Sequence, residues 1–456
     1  MDLAKYKLRC GGKSQRFFSL PDRAHLSQPE AMMASLLSRS ARASEALDVD
    51  DEVILNRFLD LASENELTGF VLESIYILKL KAKFSNLFIN HHGTKVDLLT
   101  LLTRQAGLEA IKFEKFEKKF VGFLELTANL NKQLVWLKGV VTSRTCYSSP
   151  EQRLSGDFDC FIDPEFFPEL FQLLLSNEFR VITGDTGFCN QLGVGPVGHI
   201  EDMFLVPSNE LVPSAICGMY RNRWPLLDIK VNPLDRGLRM VELDRFENNV
   251  SSVPWRGTEF SAPDLLDQLM ISLTHFEKDR FIGWKQLLDI KLLSEKVNES
   301  PELWKEFIRR SRVEGVATAC AAGLSLAEER LDLTGVDAVI KELSPDNDGL
   351  FRRLFTFSVT PLFYWNTSSL PMLIANAKLA DDSTRKMKVL RESFFPSDQF
   401  LSKYYFSGQD LNFVTVVLAL LLHWLTLFLP GGVVRRTFGK SIWKNEQFGD
   451  DQANAL

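Results

Sequence analysis

The stretch that decides the fold is "RLSGDFDCFI", residues 153–162, in which two aspartates precede an apolar run. In a β-strand, residues i and i+2 point to the same face, so Asp157 and Asp159 project together while Phe158 points into the core. A buried strand normally excludes carboxylates, because an unpaired buried charge is costly. The pattern therefore predicts a cation between the two side chains, and Gly156 leaves room for a ligand beside them.

The cation that best suits this pair is magnesium. Two carboxylates at this spacing can hold one divalent ion or bridge a pair of ions about 3.5–4 Å apart. Magnesium is a hard ion that takes carboxylate and phosphate oxygens. The D-x-D pattern alone is weak evidence, since it also occurs at 48–50 and 346–348, where polar flanking residues indicate solvated turns. Among the three, only the pair at 157 and 159 opens a predicted strand.

Two other segments carry residues suited to the same chemistry. Upstream, "LVWLKGVVTSRTCY" at 134–147 predicts a strand that ends at Lys138-Gly139 and turns into a helix. Such a turn exposes backbone N–H groups at a helix N-terminus, which favours anions, and the lysine adds a positive charge for phosphate. Downstream, "PLLDIKV" at 225–231 predicts a strand with one aspartate, Asp228. Its alternative role is a salt bridge with Lys230 on the same strand face.

The order of these three segments resembles the DNA polymerase β-like nucleotidyltransferase superfamily. More closely, it resembles a bacterial family of uncharacterised nucleotidyltransferases with L-K-G, R-x-x-G-D-x-D and D-x-H motifs. The matching residues are "LKG" at 137–139, "RLSGDFD" at 153–159 and "DIK" at 228–230. That family also has a helix pair with a histidine and a W-x-x-L-x-D element, matched here by His275 and by Trp284 with Asp289. The resemblance covers residues 134–295.

Several positions depart from the family pattern. The turn reads Lys-Gly, where the superfamily usually has Gly-Gly or Gly-Ser, and the spacing from Gly139 to Asp157 is longer than in the polymerases. Lys230 stands where the closer family commonly has histidine, and a second downstream histidine is missing near Asp279. These departures leave the three carboxylates intact and affect the residues around the nucleotide and the acceptor.

The resemblance implies an α+β fold: a small mixed-sheet polymerase β-like core flanked by N- and C-terminal helical regions. It implies a metal-dependent transfer of a nucleoside monophosphate from an NTP, expected to be ATP, to a hydroxyl-bearing small molecule or peptide. Two magnesium ions are expected as cofactors. The implied catalytic and metal-binding residues are Asp157, Asp159 and Asp228, and the implied nucleotide-binding residues are Lys138, Gly139, Arg153 and Gly156.

The sequence leaves the roles of four neighbouring basic residues open. Arg153 either contacts phosphate or pairs with an aspartate in the free enzyme. His275 is expected to be a packed helix histidine rather than a base, because metal-activated attack needs none. Arg221 and Arg223 are triphosphate contacts or solvated turn residues.

Hydrophobic periodicity and the distribution of turn residues predict five regions in the chain. They are a tail at 1–28, a helical region at 29–132, the nucleotidyltransferase core at 133–260, a second helical region at 261–410, and a hydrophobic helix with a polar tail at 411–456. Within the first helical region, the phenylalanines at 113, 116, 120 and 123 form a stripe at helical spacing. Such a stripe predicts core packing rather than a ligand site.

Composition bounds the partners and the compartment. The net charge is −6 over 456 residues, so no overall basic field is present, and we expect no nucleic-acid template. The six cysteines include no C-x-x-C pair, which argues against a zinc site and fits a reducing compartment. The first 18 residues contain no apolar core of signal-peptide length, so we expect a cytoplasmic protein.

One apolar segment, "FVTVVLALLLHWLTLFL" at 413–429, could instead bring the protein to a membrane. As a helix it would span about 25 Å, short of a hydrocarbon core of about 30 Å. We therefore expect a buried helix. The alternatives are a membrane anchor, followed by Arg435 and Arg436, and a helix that is covered by a partner protein. Two alternative functions stay open: a membrane-associated accessory protein, and a catalytically silent binding module that keeps the nucleotidyltransferase fold.

Overall fold

The computed structural model shows an α+β protein in which one mixed sheet is packed among many helices. It describes residues 27–39, 49, 51–91, 93–130, 132–163, 165–181, 216–220, 225–230, 233–234, 242–278, 281, 283–344, 381, 387, 391, 394–395, 401 and 412–428. This architecture agrees with the predicted fold class at the level of a small mixed sheet flanked by helices. Arg221, Arg223 and Asp279 lie outside the described residues.

In the described part of the N-terminal region there are five helices and a short hairpin. Helices α1 to α5 span Gln28–Leu37, Glu52–Glu64, Thr68–Ile77, Lys81–Ser85 and Leu98–Leu126. Strands β1 (Phe88–His91) and β2 (Thr94–Asp97) pair antiparallel. This hairpin interrupts a region that the sequence predicted to be helical. Gly93 lies at its turn with a φ of +81°, a conformation that glycine adopts readily, and four-residue strands are too short to show a clear alternation.

The sheet positions the aspartates. Its strands span Leu134–Trp136 (β3), Asp157–Ile162 (β4), Arg180–Val181 (β5), Ile216–Tyr220 (β6), Leu226–Lys230 (β7), Ser251–Trp255 (β8) and Thr258–Ala262 (β9). Their order in the sheet is β5-β6-β7-β4-β3-β9-β8. The central pair, β4 and β7, is parallel, whereas β3 and β6 run antiparallel to their neighbours β4 and β7. Both aspartate-bearing strands therefore lie in the middle of the sheet, next to each other.

The phenylalanine stripe of α5 packs on one side of this sheet. The rings of Phe116 and Phe158 lie 4.6 Å apart, and those of Phe120 and Trp136 lie 4.8 Å apart. Phe158 is 1% exposed, and full burial of a phenylalanine side chain contributes about 1.5–3 kcal/mol. The prediction that this stripe belongs to the core is confirmed. It also explains why the residue between the two aspartates is aromatic.

The remaining helices bring distant residues to the sheet. They span Lys138–Thr145 (α6), Phe167–Ser176 (α7), Leu243–Asn248 (α8), Leu265–Lys278 (α9), Trp284–Val297 (α10), Pro301–Val313 (α11), Ala317–Leu331 (α12) and Asp337–Leu343 (α13). Helix α9 packs against α10 and against α6. The residues of α9 and α10 that matched the family motifs are thereby carried towards the loop that precedes β4.

The C-terminal apolar segment forms helix α14, Phe413–Phe428. One face of this helix is exposed, from Phe413 at 83% and Val414 at 71% to Leu421 at 49%. The expectation of a buried helix is therefore wrong for this face, because hydropathy alone does not show whether other parts of the chain cover an apolar helix. Within the described residues, no helix is both long and apolar enough to cross a membrane.

Candidate active site

Three aspartates lie on one face of the two central strands, which we call the aspartate face (Asp157, Asp159 and Asp228). The strand register pairs Asp159 with Asp228 and Asp157 with Leu226. Residues paired across neighbouring strands lie side by side on the same face, and Asp157 and Asp159 share a face because they are two residues apart. The structure thus brings together the three carboxylates that the sequence selected.

Two lysines meet the most buried of these carboxylates. The Lys138 ammonium donates a hydrogen bond of 2.9 Å to Asp159 Oδ1. The Lys230 ammonium lies 3.6 Å from the same oxygen and 3.8 Å from Asp228 Oδ2. Burial alone would raise the pKa of Asp159, but the two ammonium groups outweigh burial and lower its pKa. Asp159 is therefore held as a carboxylate by charges of this chain.

Asp157 has the opposite electrostatic balance. Burial, together with repulsion from Asp159 and Asp228, raises the pKa of Asp157 to about 6. Lys138 and His275 lower it, but by less. The carboxylate of Asp157 is thus destabilised in its charged form, as expected for a group that an added cation would stabilise.

The turn between β3 and α6 places Lys138 at the rim of the aspartate face. Helix α6 begins at Lys138, whose φ of +51° lies in the left-handed region. This conformation costs a non-glycine residue about 1–2 kcal/mol. The adjacent Leu137 N–H donates to the Asp159 carbonyl oxygen at 2.9 Å, which holds the turn against β4. The strand–turn–helix predicted from "LKG" is present, with the lysine ammonium directed at Asp159.

The two candidate glycines have different surroundings. A Cβ atom on Gly139 would lie 2.6 Å from Ser155 Oγ and 2.7 Å from Arg153 Nη1, so this glycine makes room for the loop that precedes β4. A Cβ atom on Gly156 would meet nothing within 4 Å, and the residue is exposed. The open space predicted beside Asp157 is therefore present at Gly156. At Gly139 the corresponding space is occupied by the side chains of Arg153 and Ser155.

Arg153 belongs to a second group of buried charges, which we call the Asp289 cluster (Tyr147, Arg153 and Asp289). Arg153 donates from Nη2 to Asp289 Oδ2 at 2.8 Å and from Nε to both carboxylate oxygens at 3.1 Å. Tyr147 donates to Asp289 Oδ1 at 2.8 Å. Burial alone would lower the pKa of Arg153, but the carboxylate of Asp289 raises it. Of the two roles left open for Arg153, this geometry favours pairing with an aspartate.

The Asp289 cluster positions the loop that leads into β4. The Leu154 carbonyl oxygen accepts hydrogen bonds from Arg153 Nη1 at 3.0 Å and from Lys285 Nζ at 3.1 Å. Asp289 and Lys285 both lie on α10, so this helix fixes the chain just ahead of Asp157. The W-x-x-L-x-D element thus acts on the aspartate face through the backbone of residues 153–156.

Sequence reasoning assigned no function to two residues that the structure places at this face. Lys230 entered only as a salt-bridge partner for Asp228, yet it is 1% exposed and reaches Asp159 as well. His275 was expected to be a packed helix residue, and in addition it acts electrostatically to lower the pKa of both Asp157 and Asp159. The signal available for His275 was its match to the family histidine. The signal available for Lys230 was that it replaces the histidine of the family's D-x-H motif.

A magnesium ion fits these residues by the chemistry of its donors. Three carboxylates share one face, and carboxylate oxygens are the ligands that magnesium takes. As the side chains stand, no three or more His, Cys, Asp or Glu residues of the described chain form a group that could hold a metal ion. The oxygen of Asp159 is engaged by lysine instead. Binding of an ion through Asp159 Oδ1 would therefore require Lys138 to release this oxygen.

A mixed sheet that carries three carboxylates on adjacent central strands, beside a helix N-terminus, suits phosphate chemistry. A family model described as uncharacterised nucleotidyltransferase matches residues 51–332 of the 456 in the chain. Because the match covers more than half of the chain, the protein belongs to this family and is a nucleotidyltransferase. No curated protein matches the chain. The matched range includes both the aspartate face and the Asp289 cluster.

Proposed function

We propose that this nucleotidyltransferase has a polymerase β-like core and transfers a nucleoside monophosphate, with ATP as donor, to a hydroxyl group. The acceptor would be a small molecule or a peptide, and the reaction would depend on magnesium. The observation that carries the proposal is the register of β4 and β7, which sets Asp159 beside Asp228 on the face that Asp157 shares. Three carboxylates on one face of the central strands are more than a structural salt bridge requires.

The proposed step is an in-line displacement at the α-phosphorus. The acceptor oxygen forms a bond to this phosphorus, the bond to the β-phosphate oxygen breaks, and pyrophosphate leaves. The hydroxyl proton passes to solvent on the side of Asp228, whose side chain is 20% exposed. Magnesium, when bound, supplies positive charge that neutralises the phosphates and makes the acceptor hydroxyl more acidic.

The residues of this chain have separate roles in that step. Asp157, Asp159 and Asp228 would hold the ion, and Lys138 would move from Asp159 to a phosphate oxygen when nucleotide enters. The N-terminus of α6, where Lys138 lies, also favours an anion. Gly156 leaves the space beside Asp157 open to the nucleotide. Arg153 acts indirectly, by holding the loop that carries Gly156.

The experiment is incubation with each labelled NTP, magnesium and a lysate or peptide fraction, followed by mass spectrometry for an added nucleotide. We expect a nucleotide adduct with the wild-type protein and a loss of roughly 100-fold or more with Asp228→Asn, since the acceptor side of the site is then incomplete. Asp244→Asn is the matched control, because this exposed aspartate on α8 lies outside the site.

The outcome also separates the enzyme from a silent binding module. Equal transfer by wild type and Asp228→Asn would contradict the assignment of the aspartate face. Nucleotide binding without transfer to any fraction, unaffected by magnesium, would support the silent module instead.

A second candidate role is contact with a lipid surface through α14. Its large exposed apolar residues lie on one face of the helix and comprise Phe413, Val414, Val417, Leu418, Leu421 and Leu425. In the sequence, Arg435 and Arg436 follow this helix, and basic residues near an apolar face favour anionic lipid. We propose that this face lies on a bilayer surface.

Flotation with vesicles tests this role. We expect the full chain to float with vesicles containing phosphatidylserine, and Val417→Glu to remain at the bottom of the gradient. Val53→Glu is the control, because Val53 is 77% exposed but lies on α2. Equal behaviour of wild type and Val417→Glu would rule out α14 as the lipid contact.

A further inference from the structure

Lys230 is a buried cation placed between two of the three carboxylates. It is 1% exposed, and its ammonium lies 3.6 Å from Asp159 Oδ1 and 3.8 Å from Asp228 Oδ2. A charged group is buried at this depth only when oppositely charged or polar partners compensate for the lost hydration. The two aspartates provide that compensation, so Lys230 is held in place by the same oxygens that a metal ion would use.

Lys138 differs from Lys230 in its position. Lys138 lies on the first residue of α6, in the left-handed backbone conformation, and reaches Asp159 from the rim of the site. Lys230 lies within the central strand β7, two residues after Asp228, and its side chain projects from the same face of the sheet. A lysine on a helix N-terminus can turn towards a nucleotide. One enclosed within a central strand cannot leave without exposing a cavity between two carboxylates.

On the basis of the function proposed above, we infer that Lys230 supplies the positive charge of one of the two expected cations, and that the site takes a single divalent ion. The sequence resemblance implied two ions held by Asp157, Asp159 and Asp228. With the Lys230 ammonium fixed between Asp159 and Asp228, a second ion on that side would add two positive charges beside an existing one. Repulsion between such close cations in a poorly solvated site opposes this binding.

Native mass spectrometry of the full chain counts the ions directly. The probes are Mn²⁺ alone and Mn²⁺ with α,β-methylene-ATP, and Asp157→Asn measures adventitious ions. We expect one Asp157-dependent ion on the wild-type protein and two on Lys230→Met, because the substitution opens the Asp159–Asp228 side. Lys138→Met is the matched control and should retain one ion, since it removes the rim ammonium only.

Thermal melting gives a second readout that needs no nucleotide. Without metal, Lys230→Met should melt about 5 °C below the wild type, because Asp159 and Asp228 lose the cation that they share. Mn²⁺ should restore more of this loss in Lys230→Met than it adds to the wild type. Lys230→Arg keeps the charge, so it should bind one ion even if Lys230→Met does not fold.

The outcomes distinguish this inference from the function on which it rests. Two Asp157-dependent ions on the wild type, or one ion on a folded Lys230→Met, would overturn the role of Lys230 while leaving a metal-dependent transferase intact. No Asp157-dependent ion on the wild type, with or without the nucleotide analogue, would overturn both.

Discussion

The aspartate face and the Asp289 cluster both set buried carboxylates against cations, but their charges balance differently. In the Asp289 cluster one carboxylate accepts from Arg153 and Tyr147, and the pair of opposite charges is complete. On the aspartate face three carboxylates stand against the ammonium groups of Lys138 and Lys230. The excess of negative charge distinguishes a face that can bind a cation from one that only holds the fold together.

The difference shows in the titration of the two groups. On the aspartate face, burial and like charge raise the pKa of Asp157 to about 6. In the Asp289 cluster, the carboxylate raises the pKa of Arg153 despite its burial. The charged form of Asp157 is thus disfavoured, whereas the charged form of Arg153 is favoured. Breaking the Asp289 cluster should therefore cost stability, whereas neutralising Asp157 should not.

The largest effect is expected from Asp289→Leu. This change leaves the Arg153 guanidinium buried without its carboxylate, and breaking a buried pair in this way costs about 3–5 kcal/mol. Urea-induced unfolding measures the loss. The double variant Arg153→Met with Asp289→Leu removes both charges and should recover most of it. If the single variant is as stable as the wild type, the cluster does not hold the fold, and the contrast with the aspartate face fails.

The second prediction concerns the pH dependence of stability. Here the substitution, Asp157→Asn, should preserve or raise the free energy of unfolding above pH 6, whereas Asp289→Leu lowers it. The pKa of Asp157 is raised in the folded protein, so the folded state holds the proton more tightly than the unfolded chain. In chelator, its contribution to stability is therefore fully present below about pH 4 and is lost as pH rises through about 6, a change of about 3 kcal/mol. Asp157→Asn should remove this decline.

The measurement is the difference in unfolding free energy between wild type and Asp157→Asn across this pH range. Because the pKa of Asp159 is lowered, its protonation affects stability only below about pH 4 and does not contribute to the difference measured between pH 4 and 7. Above pH 6 the asparagine variant should equal or exceed the wild type in stability. A constant difference from pH 4 to 7 would mean that Asp157 is not destabilised by its neighbours.

The smallest pair of effects compares the two glycines. Gly139→Ala places a methyl group against Arg153 and Ser155, and because Asp289 holds the guanidinium, we expect a loss of about 1–3 kcal/mol. Gly156→Ala is the matched control, with open space around its added methyl group, and should change stability by less than about 0.5 kcal/mol. Both are measured by urea unfolding.

Nucleotide affinity sharpens the same comparison. Gly156→Ala should weaken binding of α,β-methylene-ATP more than it changes stability, since the methyl group enters the space left for the ligand. The resemblance implied that Gly139 is a nucleotide-binding residue, so its substitution would be expected to weaken nucleotide binding. With Arg153 and Ser155 against this glycine, we now expect folding to suffer first.

Local patterns predicted the parts of the site that depend on neighbours in sequence. The two-residue spacing of Asp157 and Asp159 fixes their common face in any strand, and the phenylalanine stripe of α5 follows from helical periodicity. The strand–turn–helix at "LKG" is local in the same way. By contrast, the β1–β2 hairpin was missed, since its strands have four residues each and carry little periodic signal.

The sequence by itself thus determined which residues are chemically suited to bind a cation and which strands carry them, because alternation and turn preference are set by adjacent residues. Only the tertiary structure decided how charges pair. Arg153 meets Asp289 across 136 positions in the chain, Lys230 reaches Asp159 because β7 adds alongside β4, and one face of α14 remains exposed. These contacts depend on the packing of distant elements, and charge or hydropathy in the sequence does not specify which partner a residue meets.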